Sequence, residues 1–516
     1  MKLRFTLLTL LSLLSFISSQ AQEVIAMGHD GDTFLGQQGI IDDNKNMVMG
    51  GRRFLVNDYP HVALFDQNKV YKWSFYLNKT GVMCTHLIQT RDKNYLAVYA
   101  TGISSQLIKF DALGNVLWYR DFTNIHSYED VVEDTASNLY LVGNNMGQLI
   151  LTKMNASGNV AWSYGYALNP ASNYYFGRSI EETHDGNLVV CGVASYVSGA
   201  FAKTVAIKID KSGNIIWSTV LSCSSASLVI DKLIESSSDH TFFGVGYCGT
   251  NNSNAFNAFS VKMDTGGAYI NNKSIDFAWS DKYNDVCEAA EGGFVAVGLT
   301  EPTENCGGNM FYTKFTAAND TVFHKVYGTA AGNGAFFNNI HPAGNGGYYS
   351  FGMGSLWSMI NAGYEYTYLL TDAQLELPCK KYPQAFNQSS LTITQGNNVV
   401  RNNFTATFNE SYVKYNDTMY AINACTGQLL STQSVRTASD ISVYPNPSTD
   451  LVHMDLKNPG QGHVKVIAMD GKVFYQSSLK GATLSFSVKN WPNGIYLLQW
   501  QGENREVYRE KIEVSH

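Results

Sequence analysis

The sequence contains few charges, few prolines and no basic block. Only 15% of its 516 residues are charged, and 36 Lys and Arg stand against 43 Asp and Glu, which gives a net charge of −7. Without clustered Lys and Arg, the chain lacks the electrostatic footprint of a nucleic-acid-binding protein. The 10 Pro, 45 Gly and 13% aromatic residues exclude collagen, coiled coil and disorder. Because 31 Tyr and 27 Phe suit pleated surfaces, the composition favours an all-β protein.

Long hydrophobic runs are absent except for one at the start of the chain. Lys2 and Arg4 precede an apolar run from Phe5 to Ile17, and Ser19-Gln20-Ala21 supplies small residues at a cleavage point. This order is typical of a signal peptide. A membrane anchor is the alternative, but the run is shorter than the roughly 20 residues that span a bilayer. We therefore predict a signal peptide over residues 1–21 and no transmembrane segment after it.

The eight cysteines do not have the paired CxxC spacing of a zinc site. Export permits disulfides instead. The candidate pairs are Cys287–Cys306, which flank one strand-turn unit, Cys379–Cys425 and Cys223–Cys248. We predict no metal site and no cofactor.

An internal repeat of about 50 residues organises the chain up to residue 377. Four segments combine a short apolar strand, a polar turn and a strand with Trp: VALFDQNKVYKW, LIKFDALGNVLW, LTKMNASGNVAW and AIKIDKSGNIIW. The Asp-like turn position recurs at Asp66, Asp111, Asn155, Asp210, Asp264, Thr316 and Asp372. This recurrence predicts a repeat architecture.

A second anchor, mostly glycine, lies at the end of an apolar run that follows a turn. It recurs at Gly50, Tyr99, Gly143, Gly192, Gly246, Gly298 and Gly352. Two anchors that recur seven times predict seven units, and each unit divides into four short strands, as in RSIEETH, NLVVCGV, TVAIKID and NIIWSTV. Four strands per unit is the pattern of a β-propeller blade. We predict an all-β, seven-bladed propeller over residues 22–377, with Glu23–Met27 adding a strand to the last blade.

The units resemble bacterial secreted propeller repeats of the form K-x-D-x-x-G-N-x-x-W. The matching residues of the fourth unit are Lys208, Asp210, Gly213, Asn214 and Trp217. The resemblance implies a propeller but little about activity, because propellers host many functions. The Trp series could form a sugar platform, but its spacing equals the blade period. We therefore predict that these side chains pack between blades.

The repeat ends after residue 377. Residues 378–439 are richer in Thr, Asn and Tyr, and we expect a connecting β segment there. From residue 440 to residue 516, alternating apolar and polar residues around turns predict about seven short strands in a small β-sandwich.

This last module carries a specific set of turn and terminal motifs. They are Val443-Tyr444-Pro445-Asn446-Pro447, Asp470-Gly471-Lys472, Pro492-Asn493-Gly494-Ile495-Tyr496 and Lys511-Ile512. In this order and spacing they resemble the type A C-terminal sorting domain of the type IX secretion system of Bacteroidetes. The resemblance implies export through the periplasm and recognition by the secretion machinery and its sortase. The protein would then be released or attached at the cell surface.

Three Asp-Thr-apolar triplets resemble Bacteroidetes O-glycosylation sites, and ordinary turn threonines are the alternative. Their threonines are Thr135, Thr321 and Thr418.

Motifs for known catalytic chemistry are absent from the sequence. It has no GxSxG elbow, no HExxH and no Walker loop. The pairs Glu129-Asp130 and Glu181-Glu182 cannot each serve one site, because adjacent strand residues face opposite ways. We therefore expect a secreted or cell-surface binding propeller whose ligand is an unknown extracellular glycan or protein. The alternative is a secreted hydrolase or lyase that acts on polysaccharide or peptide, with carboxylates of different blades meeting in the propeller funnel.

Overall fold

A computed structural model describes most of the chain after the predicted signal peptide, which lies outside the described residues. The described residues are 22–28, 33–54, 57–80, 83–145, 147–168, 174–195, 201–249, 255–301, 303, 308–328, 335–344, 346–354, 366–378, 385–417, 419–423, 428–431, 441–468, 473–502 and 507–516. They contain strands and turns but no helix. Accordingly, within these ranges no helix is long and apolar enough to cross a membrane.

The strands up to residue 371 form seven antiparallel sheets, the blades of a propeller. The first described strand is β1 (Glu23–Gly28). Blade 1 contains β2 (Thr33–Ile41), β3 (Met47–Phe54), β4 (Asp58–Phe65) and β5 (Tyr71–Leu77). Blade 2 contains β6 (Met83–Gln89), β7 (Tyr95–Ala100), β8 (Ser105–Phe110) and β9 (Val116–Phe122). Blade 3 contains β10 (Ser127–Glu133), β11 (Leu139–Asn144), β12 (Leu149–Met154) and β13 (Val160–Leu168). Blade 4 contains β14 (Tyr174–Glu182), β15 (Leu188–Ser195), β16 (Lys203–Ile209) and β17 (Ile215–Ser222).

The remaining three blades continue this order. Blade 5 contains β18 (Ser227–Glu235), β19 (Phe242–Gly249), β20 (Phe256–Met263) and β21 (Tyr269–Asp276). Blade 6 contains β22 (Ser280–Glu288), β23 (Phe294–Glu301), β24 (Asn309–Phe315) and β25 (Thr321–Tyr327). Blade 7 contains β26 (Ala335–Ala343), β27 (Gly347–Gly354) and β28 (Tyr366–Thr371). The prediction of seven blades is confirmed.

The ring closes through the N-terminal strand. β1 pairs antiparallel with β28, from Glu23 opposite Leu370 to Met27 opposite Tyr366, and so becomes the fourth strand of blade 7. The first strand of each blade contacts the first strand of the next, and β2 contacts β26. The first strands therefore surround a central channel, and the expected role of Glu23–Met27 is confirmed.

The Asp anchor shapes the turn between the third and fourth strands of a blade. Asp111 Oδ1 accepts the backbone N–H groups of Leu113 and Asn115, and Asn115 Nδ2 donates to Asp111 Oδ2 at 2.9 Å. Gly114 has a φ of +81°, a left-handed conformation that glycine adopts without steric cost. The same arrangement recurs around Asp210, which explains why Asp, Gly and Asn repeat together.

The glycine anchor lies where the blade leaves no room for a side chain. It lies on the second strand, opposite an irregularity of the first strand that brings a backbone carbonyl close. A Cβ at Gly143 would lie 1.9 Å from the carbonyl oxygen of Ser127, and one at Gly298 would lie 2.2 Å from that of Lys282. No side chain fits there, so the sheet requires glycine at these positions.

Tryptophans and apolar side chains fill the space between blades. The Trp118 ring packs against Gly158 of the next blade, and its Nε1 donates to the carbonyl of Ala156 at 3.1 Å. Trp217 packs in the same way against Gly267. The buried apolar side chains form clusters that each combine residues of neighbouring blades, such as Tyr140 with Val190. Inter-blade packing of the Trp series therefore agrees with the prediction.

Buried lysines of the repeat are neutralised within their own blade. Lys109 forms an ion pair with Asp92 at 2.7 Å, and Lys208 forms one with Asp185 at 2.8 Å. Burial opposes the charged form of Asp185, but the hydrogen bonds from Lys208, Thr183 and Asn187 together outweigh it and lower the pKa of that carboxyl. The Lys of the K-x-D motif therefore ties the third strand to the turn before the second strand.

The connecting segment differs from expectation, because it belongs to the propeller sheets. We call residues 387–431 the belt. Its strands are β29 (Asn387–Ser389), β30 (Thr394–Gly396), β31 (Val399–Asn403), β32 (Phe408–Asn409), β33 (Lys414–Asp417), β34 (Tyr420–Asn423) and β35 (Gln428–Ser431). β29 to β33 add a fifth strand to blades 5, 4, 3, 2 and 1 in that order, and β34 pairs with β1 in blade 7. An outer edge strand has unpaired backbone groups, and the belt pairs them while running backwards around the ring.

The C-terminal module has its own sheet and core. Its strands are β36 (Ile441–Tyr444), β37 (Leu451–Ala468), β38 (Val473–Ser487), β39 (Gly494–Gly502) and β40 (Val507–Val514). The pairing of β37 with β38 breaks between Asp455 and Gly460, so each of these long strands acts as two shorter segments. The module therefore has five strands with seven paired segments, where about seven short strands were expected. Its core includes Trp500, Leu498 and Val464.

Candidate functional site

The first strands of the blades carry the polar side chains around the central channel. Each first strand has a β-bulge at the equivalent position, and the bulge changes the direction in which the neighbouring side chains point. The bulges lie between Gly36/Gln38, Cys84/His86, Tyr128/Asp130, Gly177/Ser179, Ile230/Lys232, Tyr283/Asp285 and Phe337/Asn339.

Side chains at these bulges reach the next blade. Thr85 Oγ1 donates to the Tyr128 carbonyl at 2.7 Å, and Asn339 Nδ2 donates to the Gly39 carbonyl at 2.7 Å. Carboxylates do the same by accepting backbone N–H groups: Ile180 donates to Asp130 and Ile340 donates to Asp285. Channel polar groups therefore bind the blades to each other.

Titratable groups from three blades meet around Asp130. Lys232 Nζ lies 2.8 Å from Asp130 Oδ2, and His86 Nδ1 lies 3.1 Å from Asp130 Oδ1. Burial opposes the charge of Asp130, yet the two partners outweigh it and lower the pKa of the carboxyl. Burial lowers the pKa of His86, which is therefore neutral at pH 7 and serves as a hydrogen-bond donor. Lys232 is thus the charge partner of Asp130.

Two further carboxyl groups lie near Lys232 and titrate differently. Burial raises the pKa of Glu181 to about 8 against the effect of Lys232. Burial raises the pKa of Asp285 to about 6, again against Lys232. Burial and the nearby Lys232 charge lower the pKa of His341 to about 4. At pH 7 Glu181 is therefore largely protonated, while Asp285 is ionised.

The sequence argument about adjacent carboxylates agrees with this geometry. Glu181 faces Lys232, whereas Glu182 forms an ion pair with Lys211 at 2.8 Å. Sequence reasoning missed Lys232 and Asp285, because neither belongs to a motif. Their shared position beside the bulge of a first strand is the signal that could have pointed to them.

A cleft lies at the outer rim of blade 4, away from the channel. Its volume is about 780 Å³. It is lined by β17, the turn at Gly266 in blade 5, and belt residues 395–399. Ile216 is 50% exposed there, and Trp217 is half-buried beside it. The cleft combines this apolar patch with the amide side chains of Gln395 and Asn397.

The C-terminal motifs converge at one end of their module. Asn446 Nδ2 donates to the Lys511 carbonyl at 2.6 Å, and Asn446 Oδ1 accepts the Glu513 N–H at 2.8 Å. Asn493 Oδ1 accepts the N–H of His516, and Gly494 pairs with Val514. The Pro445-Asn446-Pro447 turn and the Pro492-Asn493-Gly494 turn are therefore both fixed to the terminal strand.

Two further motif residues support this end of the module. The Tyr496 hydroxyl donates to the Pro492 carbonyl at 2.7 Å and so holds the second turn to β39, while neighbouring Ile495 is 44% exposed. Asp470, Gly471 and Lys472 lie outside the described residues.

Only some residues of the predicted disulfides and glycosylation sites are among the described residues. Cys306, Cys379, Cys425 and Thr418 lie outside the described residues, so the pairs that involve these cysteines stay predictions. Cys287 is partly buried, and burial raises the pKa of its thiol. Cys223 and Cys248 are free thiols within reach of Ser225 and Ser274, so the expected bond between them is not formed.

The two described threonines of the Asp-Thr triplets differ in access. Thr135 is exposed in a turn, which suits a glycosylation site. The Thr321 hydroxyl is buried and has no hydrogen-bond partner. Thr321 is therefore unsuited to modification in the folded protein.

Comparison with known proteins gives one family match and several distant likenesses. Residues 442–515 match the family of secretion system C-terminal sorting domains. An endo-acting ulvan lyase of Formosa agariphila is 30% identical over 79 residues, which cover 15% of this chain and 15% of that protein. The match thus spans a small part of the relative's length.

Solved structures share a coarse likeness only. A polysaccharide lyase described as an ulvan lyase is 8% identical, with a TM-score of 0.43 over 66% of this chain and 94% of that one. Drosophila Plexin A with Semaphorin 1b gives 8% identity and a TM-score of 0.39 over 68% and 87%. A Bacteroides caccae protein of unknown function gives 12% identity and a TM-score of 0.34 over 59% and 93%. The propeller assignment rests on the strand pairing described above.

The C-terminal match and the clustered turn motifs together identify the destination to which the protein is exported. Residues 442–515 are a sorting domain of a secretion system, and they direct this β-propeller protein to the cell surface or the extracellular space.

Proposed function

We propose that the chain is a secreted or surface-attached binding protein whose propeller recognises an extracellular glycan or protein. The observation that carries this proposal is the rim cleft of blade 4. An exposed aliphatic side chain and a half-buried indole offer an apolar face, and the Asn397 amide lies beside them, while the Gln395 amide is bonded to the backbone of blade 5. Ligand sites typically combine these two kinds of surface. In the channel, Asp130 and Asp285 already accept backbone N–H groups of neighbouring blades. This structural role favours a binding protein over an enzyme that uses these two carboxylates.

A glycan array and a pull-down with the mature protein test this proposal. Ile216→Glu places a charge in the cleft, and because the residue is 50% exposed the fold should tolerate it. Leu117→Glu is the matched control, since Leu117 occupies the same position in blade 2 and is 49% exposed. We expect Ile216→Glu to weaken binding at least tenfold and Leu117→Glu to leave it unchanged. Equal binding by both variants would place the site elsewhere, and no bound ligand in either assay would contradict a binding function.

A hydrolase or lyase acting on polysaccharide or peptide is the second candidate. The observation that favours it is the split in carboxyl pKa values around Lys232, about 8 for Glu181 and about 6 for Asp285. Both carboxyl groups interact with Lys232, and a protonated and an ionised carboxyl group in one site are the combination that acid–base catalysis needs. A panel of acidic polysaccharides, assayed for new reducing ends and for unsaturated products, tests it. Glu181→Gln should abolish any such activity without affecting binding at the rim cleft.

We also propose that the module from about residue 440 to residue 516 is read by the type IX secretion machinery and its sortase as a unit. Its separate core and its clustered turns support this role. Fusion of residues 440–516 to an unrelated exported protein should carry that protein to the surface of a host that has the machinery. A fusion that stays in the periplasm, in a host that exports the natural protein normally, would contradict the proposal.

A further inference from the structure

Two histidines and a glutamate come together where blades 4 and 5 meet. His184 lies in the turn between β14 and β15, Glu235 ends β18, and His240 lies in the turn between β18 and β19. His184 Nδ1 is 3.1 Å from Glu235 Oε1. The rings of His184 and His240 are stacked, with centroids 3.4 Å apart and planes at 12°. One nitrogen of each ring and one carboxylate oxygen all lie within 4.8 Å of one another.

The repeat explains how the carboxylate is placed there. At the end of several first strands, a Glu accepts a backbone N–H from the turn of the preceding blade. Glu235 Oε2 accepts the N–H of His184 at 2.6 Å, and Glu288 Oε1 accepts that of Ser237 at 3.0 Å. The blade 6 equivalent thus has the same clasp, with Ser237 in the place of His184. The paired imidazoles are a departure from the repeat and need another explanation.

His240 supplies an independent observation. Its φ is +55°, the left-handed conformation that the equivalent turns adopt at Lys93 and Ser137, so the repeat fixes the backbone of His240. Its Nδ1 is buried and makes no hydrogen bond. A buried nitrogen without a partner is unfavourable unless another group satisfies it. Glu235, with a side chain only 6% exposed, is held in place, while His184 is 52% exposed and free to adjust.

We propose that His184, Glu235 and His240 form a site for a divalent zinc-type cation. Two imidazoles and one carboxylate are a donor set that zinc uses with an open fourth position. Calcium and magnesium prefer oxygen ligands, so the two ring nitrogens disfavour them. Tetrahedral coordination with bonds of about 2.0–2.1 Å needs ligand atoms roughly 3.4 Å apart. The three ligand atoms already lie within 4.8 Å of one another, and an adjustment of the exposed His184 side chain would let one ion link blade 4 to blade 5.

Zinc retention by the mature protein tests the site. The protein is dialysed with micromolar zinc, and bound zinc is measured by elemental analysis and by competition with a chromogenic chelator. We expect one ion per chain. His240→Asn, which suits the left-handed backbone, and His184→Gln should each weaken zinc binding at least a hundredfold. Cobalt should give a visible absorption spectrum in the natural protein and lose it in both variants.

Matched glutamate variants separate a metal ligand from the structural clasp. Glu235→Gln and Glu288→Gln both keep a side-chain acceptor for the clasp, but only the first removes the proposed ligand. We expect Glu235→Gln to weaken zinc binding and Glu288→Gln to bind as the natural protein does. Thermal unfolding without zinc monitors the folding of each variant. The proposal fails if the natural protein retains no zinc, or if folded His240→Asn binds it as tightly as the natural protein.

Discussion

The protonation of Glu181 makes the stability of the propeller depend on pH in a defined direction. Burial raises the pKa of this carboxyl from 4.5 to about 8 in the folded protein. Since the folded pKa lies above the unfolded one, the contribution of Glu181 is fully present below pH 4.5 and is lost as the pH rises through about 8. Glu181→Gln keeps a neutral side chain at every pH and should lack this loss.

The expected size of the effect follows from the pKa shift. A fully shielded carboxyl with this shift would account for about 5 kcal/mol. The shift already includes the opposing effect of Lys232, but Glu181 is only partly buried and solvent screens its charge, so we expect about 2–3 kcal/mol. Glu181→Gln should therefore be more stable than the natural protein by about 2–3 kcal/mol at pH 9 and close to it at pH 4.5. For a propeller of this size, that corresponds to a rise in Tm of roughly 3 °C at pH 9.

Urea unfolding followed by tryptophan fluorescence at the two pH values measures this difference. Glu182→Gln is the control, because Glu182 follows Glu181 in the same strand and pairs with Lys211 instead. Glu182→Gln removes that ion pair and leaves the buried Glu181 carboxyl in place, so it should not show the gain in stability at pH 9. If the stability difference between Glu181→Gln and the natural protein does not change between pH 4.5 and pH 9, the assignment of a protonated Glu181 is wrong.

Three further predictions concern the belt and the sorting domain. Removal of residues 440–516 should change the Tm of the propeller by less than about 2 °C. Removal of residues 378–516 should lower it by at least about 5 °C, because six blades lose their outer partner strand. Calorimetry of the two truncated proteins measures the difference. Phe408→Ala should lower the free energy of unfolding in urea by about 2 kcal/mol. The ring centroids of Phe408 and Phe122 are 5.2 Å apart, and Phe408 is only half-buried. Asn446→Ala should reduce the secreted fraction several-fold in immunoblots of medium and cell envelope, and an unchanged fraction would show that this turn is not recognised.

The sequence predicts the blades well because each blade solves the same local problems. Asp111 and Gly114 are needed for one turn, and Gly143 is needed where a carbonyl approaches, so these residues repeat and can be recognised. The belt lacks such a signal. β30 has three residues and pairs with the edge strand of blade 4, so nothing in its own pattern reveals the pairing.

The charged residues of the channel were equally hidden, for a different reason. Asp130 and Lys232 are 102 positions apart and meet only because the ring closes. A single sequence contains no local pattern for a contact of that kind. By contrast, the turns of the sorting domain could be predicted, because Asn446 and Asn493 lie in short motifs whose order is specific.

The position of β1 sets the order in which the protein can be completed during export. This strand is flanked by β28 on one side and by β34 on the other. A chain that leaves a pore with its N-terminal end first exposes β1 before either partner exists outside. Its second partner follows nearly 400 residues later, just ahead of the sorting domain. The last strand of the ring and the sorting domain therefore emerge almost together. A machinery that recognises the sorting domain thus acts on a propeller that has all its strands.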